Sequence, residues 1–179
     1  MKSLMLTATL LVLSFSISAH AASLADTIAA NPDLSTFNAL LDKAGLKSTL
    51  GSGGTHTVFA PNNEAFAQIT QSQLSQIQND PVELLRVLRY HIGAGLYTSA
   101  QIKSYAASVT RPNFQSIDAT PYVTYTASDQ TYGSINIHSI ITTPDIGADG
   151  SNIQILSRVL NPVGQTIFGP EAALPPPRP

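Results

Sequence analysis

A 179-residue chain without cysteine cannot hold disulfides, thiolate metal sites or a cysteine nucleophile. Its length suits one domain that buries about 70% of the surface its unfolded chain exposes. Only 11% of the residues are charged, the net charge is -2 and the charges are dispersed, so no basic patch neutralises phosphates or anionic lipid, and nucleic acid is not an expected partner.

The first element is a leader. Lys2 gives a positive start, Leu4 to Ile17 is mostly apolar, and Ala19-His20-Ala21 places small residues around one free position, so residues 1–21 read as a signal peptide. The apolar run is shorter than the roughly 20 residues of a membrane span, which disfavours a retained helix. The mature chain is expected to begin near Ala22 and to be exported, periplasmic or extracellular, with no membrane insertion once the leader is gone.

Helical patterns follow. Leu24 and Ile28 share a face, and Leu34, Phe37, Leu40, Leu41 and Ala44 recur at helical spacing; Asn31 or Asp33 can cap the second helix, and Gly45-Leu46 reads as its left-handed stop. Gly51-Ser52-Gly53-Gly54 is a turn into Thr57 to Phe66, T-V-F-A-P-N-N-E-A-F. There Thr57, Val58 and Phe59 suit a strand, Pro61 ends it, and Asn62 can cap a helix with Glu64 in its first turn. Ile69, Leu74 and Ile77 give a thin apolar stripe on a short surface helix. Asp80-Pro81-Val82-Glu83 starts another, with Glu83 placed to reach back to the cap and Leu84, Leu85 and Leu88 on its buried side; it ends at Tyr90-His91.

From there the pattern turns to strands: Pro121 to Thr126, Ile135 to Thr143 and Ile153 to Leu160, with a hairpin loop at Ala127 to Thr131 and turns at Pro144-Asp145 and Asp149-Gly150-Ser151. Residues 166–179 read as a proline-rich extended tail. Helices first and strands later predict a segregated α+β domain.

In this order the elements resemble a fasciclin domain over Leu24 to Pro162. Three blocks carry the resemblance: Thr57 to Phe66, with Asn63 in the signature's Asn/Asp position; Leu88-Arg89-Tyr90-His91 at a helix end; and Pro144-Asp145-Ile146 through Ile153 to Val159-Leu160-Asn161-Pro162. Gln154, Ser157 and Asn161 depart from the residues the family often has there, as does the segment Arg111 to Gly133 with its tyrosines. The resemblance implies a fasciclin-like domain at 22–165, with N-terminal helices packed on a β-sandwich-like core of mostly C-terminal strands. It assigns Thr57, Phe59, Pro61, Asn63, Phe66, Asp145, Val159, Leu160 and Pro162 to the scaffold.

For function the resemblance implies a non-catalytic, secreted adhesion or surface-interaction module with an extracellular protein or polysaccharide partner. Animal members use the Tyr-His block in integrin recognition, which makes Tyr90 and His91 candidate binding residues. The structural alternative packs Tyr90 beneath the helix end and bonds His91 to Asn63 or Asp145. Some members bind carotenoids, and Tyr122 and Tyr125, with Tyr97, Tyr105, Phe114 and Tyr132, could line a groove for a lipid or pigment; ordinary packing is the alternative.

Catalytic signatures are missing. His56, His91 and His138 are not at helical metal-pair spacing, no G-x-S-x-G elbow or phosphate loop occurs, and Asp118, Asp129, Asp145 and Asp149 read as turn residues. Neither an enzyme, a cofactor nor a metal is expected.

Overall fold

The structure, a computed structural model, describes residues 22–51, 54–106, 125–126, 134–135 and 139–160. Residues 1–21 and 166–179, expected to be a leader and a tail, and Pro162 lie outside these residues.

Helix α1 (Leu24–Ala30) is capped by Ser23, whose hydroxyl accepts from the Asp26 N–H, and Leu24 and Ile28 face inward. A 3-10 turn (Pro32–Leu34) is capped by Asn31 and leads into α2 (Ser35–Lys43). Helix α2 ends as its sequence predicts. Gly45 sits at φ +69°, and the Leu46 N–H donates to the Leu41 carbonyl at 3.0 Å while the Leu46 side chain is buried. A short helix α3 (Lys47–Gly51) follows, which the sequence reading lacks; it takes in Gly51, expected in a turn.

Strand β1 (His56–Pro61) runs into α4 (Asn63–Ala67), and the Asn62 side chain caps that helix through the Ala65 N–H at 2.8 Å. Helix α5 (Gln71–Asn79) opens with a capping box between Thr70 and Gln73. Helix α6 (Pro81–Tyr90) is capped by Asp80, which accepts from Val82 and Glu83. Glu83 does not reach back to the cap as expected. Its carboxylate takes Arg86 instead, at 2.6 Å, because the Asp80 N–H it would accept from already donates to the Gln76 carbonyl at 3.1 Å.

After β2 (Ile92–Ala94) comes α7 (Ser99–Ala106), then β3 (Tyr125–Thr126), β4 (Ser134–Ile135), β5 (Ser139–Ala148) and β6 (Ser151–Leu156). The strands form one mixed sheet in the order β2-β1-β6-β5-β4-β3. Only β1 and β6 pair in parallel, with Val58 opposite Ile153 and Ala60 opposite Ile155. Tyr125 opposite Ile135 is the pairing a hairpin would give, although its loop lies outside the described residues.

The α+β class is as expected, and the sandwich-like core takes the form of one sheet with an apolar cluster on each side. A parallel pair in mid-sheet is buried on both faces. The larger cluster joins α1 to α6 with Val58, Ala60, Ile153 and Ile155. The smaller joins Phe59, Tyr90, Ile102, Ile141, Leu156 and Leu160, with Tyr97 packed against it.

Candidate functional site

The apolar stripe of α6 buries Leu84, Val87, Leu88 and Tyr90, and carries the next residue, His91, inside with it. The Leu160 N–H donates to Nε2 of His91 at 2.8 Å. Nε2 must therefore hold a lone pair, so Nδ1 carries the proton and donates to the Val87 carbonyl at 2.7 Å. The ring is neutral. Burial lowers its pKa from 6.5 to about 4, against a smaller opposing effect of the bond to Val87. The Phe37 ring lies 6.0 Å away at 56°, and the backbone carbonyl of His91 accepts from the Phe59 N–H at 2.8 Å. One residue thus ties together α2, α6, β1 and the chain beyond β6. Tyr90, 2% exposed, packs in the smaller cluster, so neither side chain of the pair lies on the surface.

The two partners expected for His91 are engaged elsewhere. Asn63 accepts from the Thr36 N–H at 3.0 Å and the Ser35 hydroxyl at 3.2 Å, and donates to the Pro32 carbonyl at 2.9 Å. Leu34, at the N-cap of α2, has no capping side chain, so Asn63 supplies that cap from another element. Thr57 works similarly, donating to the Gly95 carbonyl and accepting from the Tyr97 N–H, both at 2.8 Å.

Asp145 lies within β5 and not in the turn expected for it. It occupies φ +54°, where the register of β5 against β6 shifts between Thr143 and Ile146. The turn tendency of Pro144-Asp145 became a bulge because hydrogen bonds hold both sides of it. The Asp145 carboxylate accepts from the Ser99 N–H and hydroxyl, from Gln154 Nε2 at 2.7 Å and from Asn152 Nδ2 at 3.2 Å. Burial pushes this carboxyl up, but the bonds from Ser99, Gln154 and Asn152 together outweigh it and hold the group below the ordinary range. The Tyr97 carbonyl accepts from the same two amides, at 3.0 Å from Asn152 and 3.1 Å from Gln154. Beside this knot lies an open depression of about 490 Å³, lined by Ala22, Leu96, Thr98, Asp145, Asp149 and Asn152 among others.

Tyr122 lies outside the described residues, and Tyr125 is described in its backbone only. Among the scaffold candidates, Thr57, Phe59, Pro61, Phe66, Val159 and Leu160 are buried, while Asn63 and Asp145 hold the bonds given above. Sequence reading missed Ser99 and Asn152 and gave Gln154 only as a departure. A local signal existed at Thr98-x-x-Gln101, a capping pair in which Thr98 N–H donates to Gln101 Oε1 at 2.9 Å and Gln101 N–H to Thr98 Oγ1 at 3.3 Å. Among the described residues no group of three or more His, Asp or Glu could hold a metal ion, and no helix is long and apolar enough to cross a membrane.

The fasciclin domain family matches residues 32–162. The chain is 29% identical to the Synechocystis protein sll1735 over 126 residues, which is 70% of this chain and 87% of that protein. It is 29% identical to human periostin over 140 residues, 78% of this chain but only 16% of periostin. Immunogenic protein MPB70 of Mycobacterium bovis is 35% identical over 77 residues, 40% of this chain and 39% of that protein. Among solved structures, a FAS1 domain pair from the insect cell adhesion molecule Fasciclin I superposes with a TM-score of 0.61 at 10% identity, covering 81% of this chain and 51% of that one.

Proposed function

This chain belongs to the fasciclin domain family, and from that membership we propose that it acts as an exported, non-catalytic module that binds a cell surface, matrix protein or polysaccharide. Residues 1–21 would be its leader, 22–165 the domain and 166–179 a tail. The observation that supports this reading most is the employment of the titratable signature residues in the scaffold. His91 is neutral with both ring nitrogens bonded, and the Asp145 carboxylate already accepts from three residues. A general acid or base needs a free site facing substrate, which buried His91 does not offer, while Ser99, Gln154 and Asn152 hold the Asp145 carboxylate in a structural role. The similarity to a domain pair from a cell adhesion molecule supports the same direction.

Exposed apolar side chains are the places to probe for contact: Val82 is 70% and Ile140 46% exposed. Immobilised cells, matrix proteins and glycans should show saturable binding that Val82→Asp or Ile140→Asp weakens without lowering the melting temperature. Absence of binding across such a panel, or a lipid or pigment extracted in stoichiometric amount from the purified protein, would count against this function and, in the second case, for a carrier.

A further inference from the structure

The described lining of the depression beside Asp145 carries two carboxylates, Asp145 and Asp149, and among the described residues no basic side chain. Among the described residues the Asp149 side chain has no hydrogen-bond or ion-pair partner. Asn152 is 4% exposed; its Nδ2 donates twice, but its Oδ1 has no hydrogen-bond partner. A buried acceptor left without a donor is destabilising, and the two carboxylates on the lining of the same depression favour a donor that is positive.

Ala22 lines the same depression, one residue before Ser23, the cap of α1. It also follows Ala19-His20-Ala21, the sequence expected at the end of the leader. We propose that the depression is a primary-ammonium site, and that its occupant is the chain's own α-amino group, created when a peptidase hydrolyses the Ala21–Ala22 bond. Water supplies a hydroxyl to the Ala21 carbonyl carbon and a proton to the departing Ala22 nitrogen, which takes a second proton from solvent at neutral pH. Before cleavage that nitrogen is an uncharged amide; afterwards it is a cation beside two carboxylates. Asp26, in the first turn of α1, is engaged with the Ser23 hydroxyl. Export processing therefore completes an ion pair between the start of α1 and the β5–β6 turn.

The test uses protein beginning at Ala22, compared with the same chain acetylated at Ala22. The α-amino pKa, followed by NMR or by the pH dependence of acylation, should lie about 1 unit above the ordinary 7.7–8.0. Asp149→Asn should remove much of that shift. Asparagine tolerates the left-handed backbone at position 149, where φ is +42°, so the turn is kept. The free-amine protein should melt several degrees above the acetylated one, the gap narrowing in 1 M salt. Equal melting of the two forms, an ordinary α-amino pKa, or an exported protein that starts elsewhere than Ala22 would overturn the proposal. None of these readouts involves a binding partner, so they stand or fall separately from the adhesion function.

Discussion

Protonating His91 would set a ring N–H against the N–H of Leu160 at 2.8 Å, so the folded chain resists taking that proton. The unfolded chain accepts it near 6.5 and the folded chain only near 4. Between those values the unfolded state binds more protons, and stability falls as pH falls. A depression of that size corresponds to about 3 kcal/mol, present above pH 6.5 and lost by about pH 4. Urea midpoints measured across that range should show this slope, and His91→Ala should remove the His91 contribution to it. The same substitution should cost about 2–4 kcal/mol at neutral pH, since it leaves a cavity and an unpaired Leu160 N–H. Loss of partner binding by His91→Ala at undiminished stability would instead return this residue to a binding role.

Between elements, two short side chains do work that their own segments do not reveal. Asn63 caps α2 from the start of α4, and Asn63→Ala should lower stability by about 1–2 kcal/mol in a denaturant titration. Asp145 fixes the bulge of β5 against α7 and β6; Asp145→Ala loses those bonds while keeping a left-handed backbone, at about 2–4 kcal/mol by the same assay. Much of the element order was legible because it rests on neighbours in sequence. Asp80, Asn62 and Gly45 mark helix ends by local chemistry, and Pro61 closes β1. The bulge was not legible, because Pro144-Asp145 has turn chemistry and what keeps it in a strand comes from Ser99, Asn152 and Gln154. The same distance hid the partners of His91, one of which lies 69 residues away. The depression was equally hidden, since Ala22, Leu96 and Asp149 lie far apart in sequence and meet only in the fold.

Over the whole molecule, β1 and β6 form the spine between two apolar clusters, with Phe59 in the smaller and Phe66 in the larger. Removing either ring should cost about 3–5 kcal/mol, and unchanged melting temperatures for Phe59→Ala and Phe66→Ala would show that the core lies elsewhere. The family blocks are then parts of one scaffold, far apart in sequence and joined through β1, the end of α6 and the chain after β6. On this reading Tyr90-His91 belongs to that scaffold and not to a binding surface. An NMR titration of the His91 ring nitrogens tests it most directly. The ring should stay neutral with the proton on Nδ1 through pH 5 and titrate with a pKa near 4. An ordinary solvent-exposed titration near 6.5, with rapid exchange at the Leu160 amide, would contradict it.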